Sequence, residues 1–130
     1  MHADLIARFL VTAFFAIVFL QSAFDKLTDR QGNLDYFRDH FKSSPFPSDL
    51  VPLLLSALAY IELTAGGLCA LGLVLGSWVR SGFGVAACGV SMAGIALLCL
   101  LFGQRLAKDY AGAAVVAAYF AVALIGLRCF

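Results

Sequence analysis

Charge is what this sequence has least of. Nine Lys/Arg and eight Asp/Glu are spread over 130 residues, and none falls between Ser81 and Gln104. An ordinary soluble domain carries about twice that share of charge. With 62% hydrophobic residues and a mean hydropathy of +0.94, a water-soluble fold would expose more apolar surface than solvent tolerates. The net charge of +1 leaves no basic face to neutralise phosphates, which excludes a nucleic-acid partner. Catalytic signatures are also missing: there is no G-x-S-x-G, no phosphate-cradling P-loop and no paired-His haem pattern. The chain therefore has the makings of a small polytopic membrane protein, and nothing in it establishes an enzyme.

Cysteine is present but unorganised. Cys69, Cys88, Cys99 and Cys129 contain no C-x-x-C, and His2 and His40 are their only possible companions. Cys88 and Cys99 share a helical face only at a separation of about 16 Å. No metal site and no redox dithiol is encoded by these spacings. Cysteine is then most simply a small apolar residue at helix contacts.

What is there is length of apolar run. A helix crosses the hydrocarbon core with about 20 apolar residues, and four stretches qualify: about residues 5–24, 50–75, 81–102 and 110–127. Strand-type alternation is absent, so the expectation is an all-α, polytopic membrane protein with four transmembrane helices in an antiparallel bundle. The spans leave no room for a second domain, so residues 1–130 are expected to form one transmembrane domain. The first stretch is expected to be a retained helix rather than a signal peptide. Its single Arg8 is offset by Asp4, and no clear small-x-small site comes after it.

The first connection differs from the others. In the loop of about residues 28–49, Leu34, Phe37 and Phe41 fall at i, i+3, i+7, while Asp35, Arg38, Asp39 and Lys42 point elsewhere. This predicts a short interfacial amphipathic helix, either a surface linker or a docking platform over a site at that face. Pro45, Pro47 and Pro52 punctuate the chain beyond it, with Ser48 or Asp49 as the expected cap of the second span. Lys/Arg bookkeeping sets Arg8, Arg80 and Arg128 on one side against Lys26, Arg30, Arg38, Lys42, Arg105 and Lys108 on the other. That leans toward loops 25–49 and 103–109 being cytoplasmic.

An ionisable residue inside hydrocarbon costs at least ~2.5–3.5 kcal/mol on insertion scales and calls for an explanation. Glu62 is such a residue, on a face with Ala65, Gly66, Cys69 and Gly76, and it should face the bundle. It is either helix–helix glue or a proton-carrying or ligand-contacting group. With Lys26 and Leu50 taken as level, helical rise brings Arg8 within about 9 Å of Glu62 and leaves Lys26 about twice as far. The expected buried polar pair is therefore Arg8 and Glu62, with snorkelling to headgroups the alternative for Arg8. Arg8, Thr12, Phe15, Phe19, Ser22 and Lys26 form one stripe at helical spacing. A second polar cluster, Asp25, Lys26, Arg105, Lys108 and Asp109, is expected at one membrane face, as solvated anchors, an ion-pair network or an anionic headgroup site. Two stripes of small residues are expected to pack tightly: Gly82, Ala86, Gly89, Ala93, Ala96 and Ala114, Ala117, Ala118, Ala121.

These elements together resemble a known family. Arg8 with Phe19-Leu20-Gln21-Ser22-Ala23-Phe24-Asp25-Lys26-Leu27 resembles the first-helix pattern of DoxX-like membrane proteins. Glu62-Leu63-Thr64-Ala65-Gly66 and Gly103-Gln104-Arg105-Leu106-Ala107-Lys108-Asp109-Tyr110-Ala111-Gly112 extend the likeness over nearly the whole chain. Ala23 departs from it, where the family often has Gly. The resemblance implies a four-helix protein of the bacterial cytoplasmic (inner) membrane, some of whose relatives are small subunits of quinone-linked redox assemblies. It implies partners in a lipid bilayer, a larger membrane complex or a homo-oligomer, and quinone as the one cofactor to consider. A quinone- or lipid-binding site of its own near Glu62 and Arg8 is one rival reading. The other is a small proton-coupled transporter, against which stands the lack of counterparts to Arg8 and Glu62 in the last two spans.

Overall fold

The computed structural model describes residues 2–79 and 82–130. The expectations for Arg80 and for a span opening at Ser81 lie outside the described residues. The chain is helical, with α1 over His2–Thr28, α2 over Arg30–His40, α3 over Val51–Trp78, α4 over Gly82–Leu106 and α5 over Tyr110–Leu127. No strand occurs among the described residues. Helices α1, α3, α4 and α5 are long and apolar enough to cross a membrane.

Helix ends follow local chemistry. Asp29 caps α2 by accepting from Gly32 N at 3.3 Å, and Asp109 caps α5 by accepting from Gly112 N at 3.0 Å. The expected cap of α3 by Ser48 or Asp49 is not made. Those residues form a single 3-10 turn, Ser48–Leu50, and Leu50 precedes α3 without a side-chain cap. Pro52 sits in the first turn instead, where its missing N–H costs nothing.

Small residues set the spacing between spans. A Cβ at Gly72 would lie 2.4 Å from Ala86 N, and one at Gly89 would lie 2.7 Å from Cys69 N, so α3 and α4 cross backbone to backbone. Ala86, Gly89, Ala93 and Ala96 are buried in that contact, as the first stripe predicts. The second stripe is placed differently. On α5 the buried residues are Ala113, Val116, Ala123 and Gly126, while Ala114, Ala117, Ala118 and Ala121 all lie exposed. Their spacing is right for helix packing, but the heptad-like row beside them carries the contact with α4 and α1. Phe15, Phe19, Leu97 and Val90 fill the interior between these contacts.

Candidate functional site

The register of α1 against α3 decides where the buried charge goes. A Cβ at Gly66 would lie 2.9 Å from Leu20 N, so these residues are level. Four residues back along the antiparallel α3, Glu62 is then level with Phe24 of α1, about 3 Å of helical rise from Lys26 on the inward face. Lys26 Nζ lies 3.0 Å from Glu62 Oε2 and also donates to Ser22 Oγ at 2.7 Å. Glu62 is 1% and Lys26 9% exposed, so the pair is closed off inside the bundle.

This corrects the expected Arg8–Glu62 pair. In this register Arg8 is about 24 Å along the axis from the level of Glu62. The error lies in taking Lys26 and Leu50 as level: α3 overshoots the end of α1 by about 10 Å. Arg8 is occupied elsewhere. Its Nε donates to the Cys129 carbonyl, and its guanidinium carbon lies 5.3 Å and 5.9 Å from the ring centroids of Phe83 and Phe130. Neither the pairing nor free snorkelling describes it; Arg8 ties α1 to the chain beyond α5. The stripe it opens is as expected, with Thr12, Phe15, Phe19 and Lys26 all buried.

The second cluster does not form an ion-pair network. Among the described residues the ion pairs are Lys26–Glu62 and Lys42–Asp39. Lys26 is drawn inward and Asp25 stays exposed. Arg105 lies over the Tyr110 ring at 5.0 Å, and Asp109 is spent on its cap. Lys108, with φ at 62°, turns the chain from α4 into α5. Lys26, Arg105 and Asp109 are thus engaged within the chain, while Asp25 and Lys108 stay exposed at the membrane face.

The overshoot of α3 has a second consequence. The space above the end of α1 is taken by α2, the amphipathic helix, which lies against the first turns of α3 and the last turns of α4. Arg30 donates to Pro52 O at 3.3 Å and Ser56 Oγ at 2.9 Å, and His40 Nε2 lies 2.6 Å from Gln104 Oε1. Tyr36, Phe37, His40 and Phe41 thereby roof a cleft whose floor includes Leu58 and Gln104. Neither His40 nor Gln104 stands out as a site residue in the sequence. The available signal is that His40 lies one residue before Phe41, on the apolar side of an otherwise polar helix.

Among the described residues, no group of His, Cys, Asp or Glu is placed to hold a metal ion. The chemistry available is a buried ion pair deep in a helical bundle and an aromatic cleft at one end of it. No curated protein matches the chain, and no solved structure does. Residues 4–93, which span α1 to the middle of α4, match the family described as "Methylamine utilisation protein MauE". The sequence motifs point to a DoxX-like chain and the match is to another small membrane protein family, so the two agree on a multi-span membrane protein. That match covers most of the chain, which belongs to the MauE family of multi-span membrane proteins.

Proposed function

We propose that this chain is a non-catalytic accessory subunit of a larger membrane complex serving methylamine utilisation. The observation that carries this reading is the closure of the intramembrane charge on itself. Lys26, Glu62 and Ser22 satisfy one another at 2.7–3.0 Å, and the pair fastens α1 to α3. A buried pair held this way favours a fixed clamp over a carrier that must exchange its proton or ligand. The bare face of α5, with Ala114, Ala118 and Ala121 exposed at helical spacing, suits close approach by a helix of the partner. The DoxX-like motifs extend the proposal to a quinone-linked redox setting for that partner.

The test is extraction of the tagged full chain from its native membrane in a mild detergent. A larger membrane protein should co-purify in fixed ratio. Recovery as a monomer or homo-oligomer alone would sink the accessory reading.

A further inference from the structure

The chain uses only part of the Arg8 side chain. Nε donates to the Cys129 carbonyl, and the rings of Phe83 and Phe130 hold the guanidinium plane in place. Among the described residues the two Nη groups, at the far edge of that plane, donate to nothing. No buried side-chain nitrogen or oxygen among those residues lacks a partner, so the Nη groups reach the surface. Their N–H donors form the end-on fork that grips two oxygens of one phosphate.

Register sets this fork at the membrane boundary. Leu20 is level with Gly66, and Arg8 precedes Leu20 by as many residues as Trp78 follows Gly66. Arg8 and Trp78 are therefore level across the antiparallel pair. Trp78 is 84% exposed at the end of α3, and an outward Trp at the end of a span sits among the headgroups. The Gly126–Val11 contact brings Arg128, exposed just past α5, to the same height. Asp4 is also exposed, one turn or about 6 Å farther out on the same face of α1 as Arg8. The two are not joined: the ion pairs among the described residues are Lys26–Glu62 and Lys42–Asp39. The Cys129 carbonyl and the two rings keep the guanidinium from turning back toward Asp4.

The order of charge selects the occupant. Going outward from the hydrocarbon, this face presents a cation and then an anion. A phospholipid with an amine headgroup presents the inverse order, a phosphate at the boundary and an ammonium two carbons beyond it. Phosphatidylglycerol would satisfy Arg8 but give Asp4 no cation. Phosphatidylcholine has the right order, yet its methylated nitrogen has no N–H to give a carboxylate, so the charge-assisted hydrogen bond is lost.

We infer that Arg8 and Asp4 form a site for the phosphoethanolamine headgroup of a membrane lipid. The Nη fork of Arg8 takes the phosphate, Arg128 adds a second cation at that height, and Asp4 takes the ammonium. The site lies at the end of the bundle opposite α2, and its occupancy does not depend on the accessory role.

The test counts lipids bound to the delipidated full-length chain in detergent, by native mass spectrometry. The chain is titrated with dioleoyl phosphatidylethanolamine, phosphatidylglycerol or phosphatidylcholine. Saturable binding of the ethanolamine lipid is expected, about tenfold tighter than the choline lipid. Asp4→Asn should abolish that preference while binding of the glycerol lipid holds or rises. Arg128→Gln should weaken all three lipids about threefold. Arg8→Lys keeps the charge but loses the fork, and should weaken all three about tenfold. Asp4 and Arg128 are exposed, so their variants carry the test if Arg8→Lys does not fold. Soluble O-phosphoethanolamine, which lacks acyl chains, should displace the lipid only in about hundredfold excess or more. Four outcomes each overturn the inference. They are an ethanolamine lipid bound no tighter than the other two, an intact preference in Asp4→Asn, a folded Arg8→Lys that binds like the native chain, and displacement by O-phosphoethanolamine at equal concentration. The last would assign the site to a free phosphate ester instead of a lipid.

Discussion

Gly66 lies against the backbone of Leu20, and this contact fixes the register that sets Glu62 opposite Lys26. A Cβ at Gly66 would come within 2.9 Å of Leu20 N, whereas one at the neighbouring Gly67 would meet nothing within 4 Å. The two glycines therefore should respond in opposite ways to the same substitution. Gly66→Ala forces α1 and α3 apart and should cost about 1–3 kcal/mol, the range for overpacking. Gly67→Ala removes a poor helix former without a clash and should be neutral or stabilising by up to about 1 kcal/mol. Thermal melts of both variants in one detergent check this, and equal effects would mean that the close approach is not where the register places it.

The ion pair should respond asymmetrically. Lys26 is two residues from the end of α1, so without Glu62 its amine can turn toward the membrane face. Glu62 lies about 16 Å along α3 from its start and has no such exit. Lys26→Met thus leaves a buried carboxylate without its cation and should cost about 3–5 kcal/mol. Glu62→Gln should cost less, because the amide oxygen still accepts from Lys26. Replacing both, as Lys26→Met with Glu62→Leu, should recover most of the loss. A double-mutant cycle read by chemical denaturation in detergent measures all three, and a double variant no better than Lys26→Met would contradict the pairing.

Arg8 is predicted to act through geometry rather than charge. Its Nε meets the Cys129 carbonyl while the guanidinium plane faces Phe83 and Phe130. Lysine keeps the charge but has neither the fork nor the flat face. Arg8→Lys should therefore lose nearly as much stability as Arg8→Ala, about 1–2 kcal/mol each. Both losses should be smaller than that of Lys26→Met. If Arg8→Lys melts like the native chain, charge alone is what the site requires.

The four spans and the amphipathic helix were legible because each is written locally, in run length and in the spacing of Leu34, Phe37 and Phe41. So was the interior stripe of α1, where Thr12, Phe15, Phe19 and Lys26 share one face. The partner of Glu62 was not legible. It depends on axial register, and register depends on which glycine of α3 meets which backbone of α1. Levelling the helices by their ends displaced α1 against α3 by nearly three turns, enough to exchange Lys26 for Arg8. The α5 stripe failed for a related reason. Ala114, Ala118 and Ala121 have the same periodicity as the row Ala113, Val116, Ala123 and Gly126 beside them, so spacing could not say which row turns inward.

That exposed row carries the last prediction. Within this chain α5 is held by Ala113, Val116, Ala123 and Gly126, and a Cβ at Gly126 would lie 2.5 Å from Val11 Cγ2 on α1. Ala118 is exposed on the outer side, off the row that anchors the helix. Ala118→Trp should therefore change the stability of the isolated chain by no more than about 0.5 kcal/mol, as surface substitutions usually do. The same bulk would hold a partner helix several ångströms off and remove the close backbone approach that association in lipid relies on. Co-purification with the larger protein should fall about tenfold or more, while the yield and melting temperature of the variant stay at native values. Retention of the partner at native ratio would move the interface off α5, and a large loss of stability would show that the row packs inward after all.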